Sequence, residues 1–112
     1  MQIIKKSSDD IKIENSHGTS GYRRPLMAAG EIEHLQGITN VFLPAGSKFD
    51  FHSHDFNEIM IVLKGGGHVY DKDGEYTYNT GDVFIYPAGI EHAIENISTE
   101  KHEFIFVKVK TC

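Results

Sequence analysis

Residues 46–65 read GSKFDFHSHDFNEIMIVLKG, and the alternation inside this stretch sets the fold class. Within KFDFHSH (48–54), apolar Phe49 and Phe51 alternate with Asp50, His52 and His54. That is the period of two expected of a strand with one dry face. On this parity His52 and His54 share a face. Glu58 follows a short polar break, DFN, and opens EIMIVLK (58–64), a nearly continuous apolar run closed by GGG (65–67). A turn at the break brings its carboxylate back toward both imidazoles. Histidine and carboxylate together suit Zn, Mn, Fe, Ni or Cu. Taken alone, the trio also fits polar residues that fall close together on a loop or strand, and a fourth donor is needed to favour metal.

Outward from this stretch the chain reads as short strands punctuated by turns. Upstream lies the β-branched run ITNVFL (38–43), ended by PAGS (44–47). Downstream, HVYDKDGEYTYN (68–79) predicts a hairpin with Asp73-Gly74 at its turn. GDVFIYPAG (81–89), EHAIENI (91–97) and HEFIFVKVK (102–110) predict three further strands. No segment carries a helical period, so the fold class is all-β, a sandwich or barrel. In EIMIVLK both faces are apolar, with Met60 and Val62 on the side of Glu58 and Ile59, Ile61 and Leu63 on the other. A strand with one wet face shows polar residues there. Either a second sheet of the same chain or a second subunit covers that face, and the latter predicts a homodimer.

Size and composition narrow the function classes. A chain of 112 residues, 39% hydrophobic and 24% charged, suits one domain. The formal charge is −5 with basic residues scattered along the chain, which argues against a nucleic-acid partner. The N-terminal stretch lacks the apolar run of a signal peptide, and no stretch approaches membrane-spanning length. The single cysteine, Cys112, cannot form an intramolecular disulfide and is read as an unreactive terminus. A cytoplasmic protein with no membrane partner is the expectation.

A fourth donor, His92, follows a Pro-Ala-Gly turn in YPAGIEHAIEN (86–96). With it, the chain resembles the cupin family. The first cupin motif runs glycine, five residues, His-x-His, three or four residues, Glu, six residues, Gly, and GSKFDFHSHDFNEIMIVLKG fills every fixed position. The second runs glycine, five residues, Pro-x-Gly, two residues, His, three residues, Asn, and GDVFIYPAGIEHAIEN (81–96) fills it too. The resemblance covers 46–96. It implies a double-stranded β-helix, or jelly-roll barrel, with one divalent metal held by His52, His54, Glu58 and His92. It also implies a single cupin domain over 1–112, with 1–36 as N-terminal arm and first strand and 37–112 as the barrel. The metal's identity stays open among Mn, Fe, Ni, Cu and Zn.

Other residues near the expected site have less to recommend them. Asp50 is a candidate for orienting an imidazole, and its alternative is a solvated carboxylate. His34 is a candidate acid or base, against a surface imidazole. Arg23 and Arg24, in GYRRPLM (21–27), suit a carboxylate-bearing substrate if they reach the cavity mouth, and acidic surface if they do not. His17, His68 and His102 lie outside both motifs, and nothing ties them to the metal. The resemblance implies a small-molecule enzyme of dioxygenase type. The alternatives are a metal-dependent isomerase or lyase of a small carbonyl or sugar-acid substrate, and a non-catalytic small-ligand-binding protein.

Overall fold

The computed structural model describes residues 2–111, so the expectation for Cys112 lies outside the described residues. Ten strands form: β1 (Glu14–Ser16), β2 (Gly21–Met27), β3 (Leu35–Leu43), β4 (Lys48–His52), β5 (Asn57–Lys64), β6 (Gly66–Tyr70), β7 (Glu75–Asn79), β8 (Val83–Tyr86), β9 (His92–Glu95) and β10 (His102–Val109). They make two antiparallel sheets, one of order β1-β2-β3-β10-β5-β8 and one of order β4-β9-β6-β7. Neighbours far apart in sequence, such as β3 with β10 and β4 with β9, give the jelly-roll arrangement. A single 3₁₀ turn at Ser8–Asp10 is the one helical element among the described residues. No helix there is long and apolar enough to cross a membrane.

The core lies between the sheets and is filled by inward residues of β3 to β10. On β3 these are Val41 and Leu43, on β5 Met60 and Val62, on β9 Ile94 and on β10 Phe104 and Phe106. The predicted hairpin is β6–β7. The Asp71 carboxylate accepts from the amides of Asp73 and Gly74, which locks the turn. Gly65 ends β5 at φ 120°, where a β-carbon would collide with the His102 ring, so only glycine fits. Upstream of residue 37, where the sequence predicts an arm and one strand, β1 and β2 both join the six-stranded sheet, and β3 already starts at Leu35. Pro25 sits in β2 beside a register shift, a place where a missing amide costs little.

Two sequence expectations meet a physical complication. The pairing of β4 with β9 shifts register between Phe49 and His52. Such a bulge re-aims the side chains beyond it. Phe49 and His52 therefore both face inward, while Asp50 and Phe51 face solvent. The second complication is the outer face of the six-stranded sheet. Met60 and Val62 are buried as expected, but among the described residues the opposite face is left open toward the β5–β8 edge. Leu63 is 44% exposed, Val83 60% and Ile85 71%.

Candidate metal centre

Three imidazoles converge where β4 meets β9. His52 ends β4, His54 follows in the loop, and His92 opens β9 directly opposite His52. One ring nitrogen from each lies within 4.8 Å of the others, a spacing that could hold a metal ion. The rings are oriented from behind. A carbonyl can only accept, so His52 Nδ1–H donates to the carbonyl of Asp50 at 2.7 Å and His92 Nδ1–H to that of Ile90 at 3.1 Å. Fixing the proton on Nδ1 leaves each Nε2 as a lone pair turned inward. Tyr86 stacks on His92 at 4.1 Å and 10°, and Phe56 stacks on His54 at 4.6 Å and 13°. Gly89, at φ 85°, closes the Pro-Ala-Gly turn, and its amide donates to the carbonyl of His54 at 2.7 Å. That bond ties the loop carrying one histidine to the turn before another.

Burial holds His52 and His54 below the ordinary imidazole range, against the opposing pull of Glu58. Neutral rings are the form that ligates. His92 is 2% exposed, and its Nε2 is buried without any hydrogen-bond partner. An orphaned lone pair of this kind is costly unless something meets it. The donor set therefore fits a divalent cation.

Glu58 stands beside the triad on β5, 3% exposed and on the same face as Met60 and Val62. Its carboxylate oxygens lie 3.9 Å from His54 Nε2 and 3.6 Å from His92 Nε2. No lysine or arginine nitrogen comes within 4.0 Å of it among the described residues.

His52, His54 and Glu58 form part of the wall of a cavity of about 230 Å³, with the buried His92 ring behind His52. Val41, Phe49, Ile94 and Phe106 give it an apolar side. Three basic residues also face it: His17, Arg23 and Lys108. His17 has no place in either sequence motif, yet its ring stacks on Phe49 at 4.3 Å and meets the edge of His52 at 4.5 Å. Burial, then the neighbouring histidines, push its pKa down to about 4. Burial likewise holds Lys108 below the usual lysine range, with Arg23 adding to the effect and Glu58 opposing it.

The remaining candidates fall elsewhere. The Asp50 side chain is 92% exposed, 3.9 Å from Lys48, and it is the backbone carbonyl of Asp50 that orients His52. His34 is exposed at a turn beside Glu33. Strand alternation sends Arg23 into the cavity and Arg24 to the other face of β2, over the Phe42 ring. His68 pairs with Glu75, and His102 is buried against Tyr78 and Ser98.

Comparison with known proteins agrees with this geometry. The family profile described as the cupin domain matches residues 40–108. An uncharacterised protein of Methanocaldococcus jannaschii is 30% identical over 77 residues, which is 68% of this chain and 66% of that protein. An HTH-type transcriptional activator, RhaR of Pectobacterium carotovorum subsp. carotovorum, is 37% identical over 49 residues, 44% of this chain but only 17% of the activator. Among solved structures, a predicted oxalate decarboxylase from Thermotoga maritima superposes with a TM-score of 0.85. It is 25% identical, with 96% of this chain and 99% of that one covered.

Proposed function

Because the chain belongs to the cupin family, we propose that it is a metal-dependent enzyme of dioxygenase type acting on a small oxygenated organic molecule, with His52, His54, Glu58 and His92 holding one divalent ion. The observation that carries the reading is the buried, unpartnered Nε2 of His92, aimed at the same point as two other imidazoles and a buried carboxylate. When bound, a divalent ion supplies Lewis acidity and open coordination positions for oxygen ligands. Phe49, Val41, Ile94 and Phe106 exclude water and grip the carbon skeleton of the substrate. Glu58 sets the charge at the floor of the cavity, and Tyr86 holds the His92 ring in place.

One observation favours a second reading, an isomerase or lyase of a small carbonyl compound. His17 places an imidazole that is neutral at neutral pH against the triad, where a ring nitrogen can accept a proton from the substrate. The predicted oxalate decarboxylase from Thermotoga maritima is in keeping with chemistry on a small carboxylate. The homodimer keeps its support in the exposed Leu63, Val83 and Ile85, an apolar face a second copy would cover.

The test is metal analysis, followed by oxygen-electrode assays with catechol-like, enol and uronate substrates. Oxygen uptake lost in His52→Ala and His92→Ala supports the dioxygenase. Product formed without oxygen selects the isomerase or lyase. Binding without turnover under any of the five metals leaves a ligand-binding protein.

A further inference from the structure

We infer that Arg23 and Lys108 form a carboxylate-recognition subsite in the wall of the cavity, and that the substrate is a small organic acid. This deepens the reading of the cavity as a substrate site and rests on it. Lys108 occupies an inward position of β10, in step with the buried Phe104 and Phe106. The lysine is half-buried there, its ammonium 5.9 Å from the centre of the Phe56 ring, and a partly desolvated charge is costly unless it is paired. Yet no carboxylate lies within 4.0 Å of its ammonium among the described residues. Its register partners are Glu58 on β5 and Gly37 on β3, and Gly37 brings no side chain to meet it.

Arg23 enters the same cavity from β2. Only its Nε is committed, donating to Glu14 Oε1 at 2.8 Å on the exterior side. No other hydrogen bond engages the guanidinium among the described residues, so its terminal nitrogens are free to form a bidentate fork. Two cations thus line one small cavity in which Glu58, read as part of the metal set, is the sole carboxylate among the described residues. A bound divalent ion adds further positive charge. Glu58 and Glu14 offset part of their mutual repulsion, and an anion that enters between them offsets more.

The size of the space limits that anion. A space of about 230 Å³ suits a small organic anion of a few carbons. A 2-oxo acid or a short dicarboxylate meets every constraint. Its carboxylate faces Arg23 and Lys108, its second oxygen function faces the triad, and its few carbons lie against Phe49 and Phe106.

The test is isothermal titration calorimetry with oxalate, pyruvate, malonate and 2-oxoglutarate, and with the neutral analogue pyruvamide, on metal-loaded and on metal-stripped protein. At least one of the acids binds both forms, and pyruvamide binds about tenfold or more weakly than pyruvate. Lys108→Met keeps the apolar stem, and Arg23→Gln alters a half-exposed side chain, so both variants fold. Each weakens acid binding by about ten- to a hundredfold, the loss of one charge-assisted hydrogen bond. Raising the salt concentration weakens binding to the wild type but much less to the double variant. The inference is overturned if no acid binds below about 10 mM, if pyruvamide equals pyruvate, or if both variants bind as the wild type does. Acid binding to metal-stripped protein that depends on both residues upholds the subsite even if no turnover is ever found. Metal-dependent turnover of neutral substrates that ignores both residues upholds the enzyme and removes the subsite.

Discussion

Glu58→Gln separates a ligand from a packing residue because its two consequences have opposite signs. The substitution keeps shape and removes one charge at a position only 3% exposed. In the metal-free protein that charge is a liability, since no hydrogen-bond donor and no lysine or arginine meets the carboxylate within bonding distance among the described residues. A glutamine amide instead has a partner waiting in the unsatisfied Nε2 of His92, 3.6 Å from Glu58 Oε1. Metal-free Glu58→Gln is therefore expected to be more stable by on the order of 1 kcal/mol, a rise in Tm of about 4–8 °C. In the metal-bound protein the same charge is an asset. Two unit charges 4 Å apart interact by ~4 kcal/mol at an effective dielectric constant of ~20, and a divalent ion doubles one of them. The amide oxygen remains a donor and recovers part of this. A net loss of about 2–3 kcal/mol corresponds to a roughly 30- to 150-fold weaker Kd for the metal. Differential scanning calorimetry of stripped protein and competition titration with a chelating dye read the two halves independently. Unchanged metal affinity would show that Glu58 is not a ligand, and a variant less stable without metal would refute the argument that its charge is a liability in the stripped protein.

Further outcomes follow from other parts of the molecule. His17, with its pKa depressed to about 4, binds fewer protons folded than unfolded, as do His52 and His54. Stability of the metal-free protein is then fullest above pH ~6.5 and falls as pH drops toward ~4. His17→Asn, which tolerates the φ of 53° at that turn, should flatten the decline in a pH series of melting curves. Asn96 is fully buried and donates to the carbonyls of Leu43 and Glu100 while accepting from Ser98. Asn96→Ala should cost about 2–3 kcal/mol in urea unfolding, by leaving those groups unpaired. A negligible loss would mean that water replaces the amide. Ile85→Asp places a charge on the exposed apolar sheet face and should convert a dimer to a monomer in sedimentation-velocity runs, while leaving metal content unchanged. A wild-type monomer would contradict the dimer.

The strands and the histidine triad were legible because they depend on local period and fixed spacing. β3 and β5–β10 fall on the predicted runs to within a few residues, since each alternates or carries a continuous apolar stretch between turn residues. Parity failed within β4, where a bulge puts Phe49 and His52 on one side and turns Phe51 out to solvent. A bulge adds a residue without a compositional mark, so alternation alone does not reveal it. His17 was illegible for another reason: it reaches the site from a turn 35 residues before His52, and only the folded sheet brings them together. Its one local sign is the turn dipeptide His17-Gly18, whose residues both take positive φ. Lys108 did leave a readable signal. A lysine in phase with Phe104 and Phe106 breaks an apolar face, and such breaks of local pattern are expected at functional sites.

The central claim is that one divalent ion sits among His52, His54, His92 and Glu58. Anomalous X-ray diffraction from crystals of metal-reconstituted protein, recorded at the absorption edge of the metal used, tests it directly. We expect a single strong anomalous peak per chain, bonded by the three Nε2 atoms and by a Glu58 oxygen. No peak there under any of the five metals, or a peak held by other residues, would contradict the account.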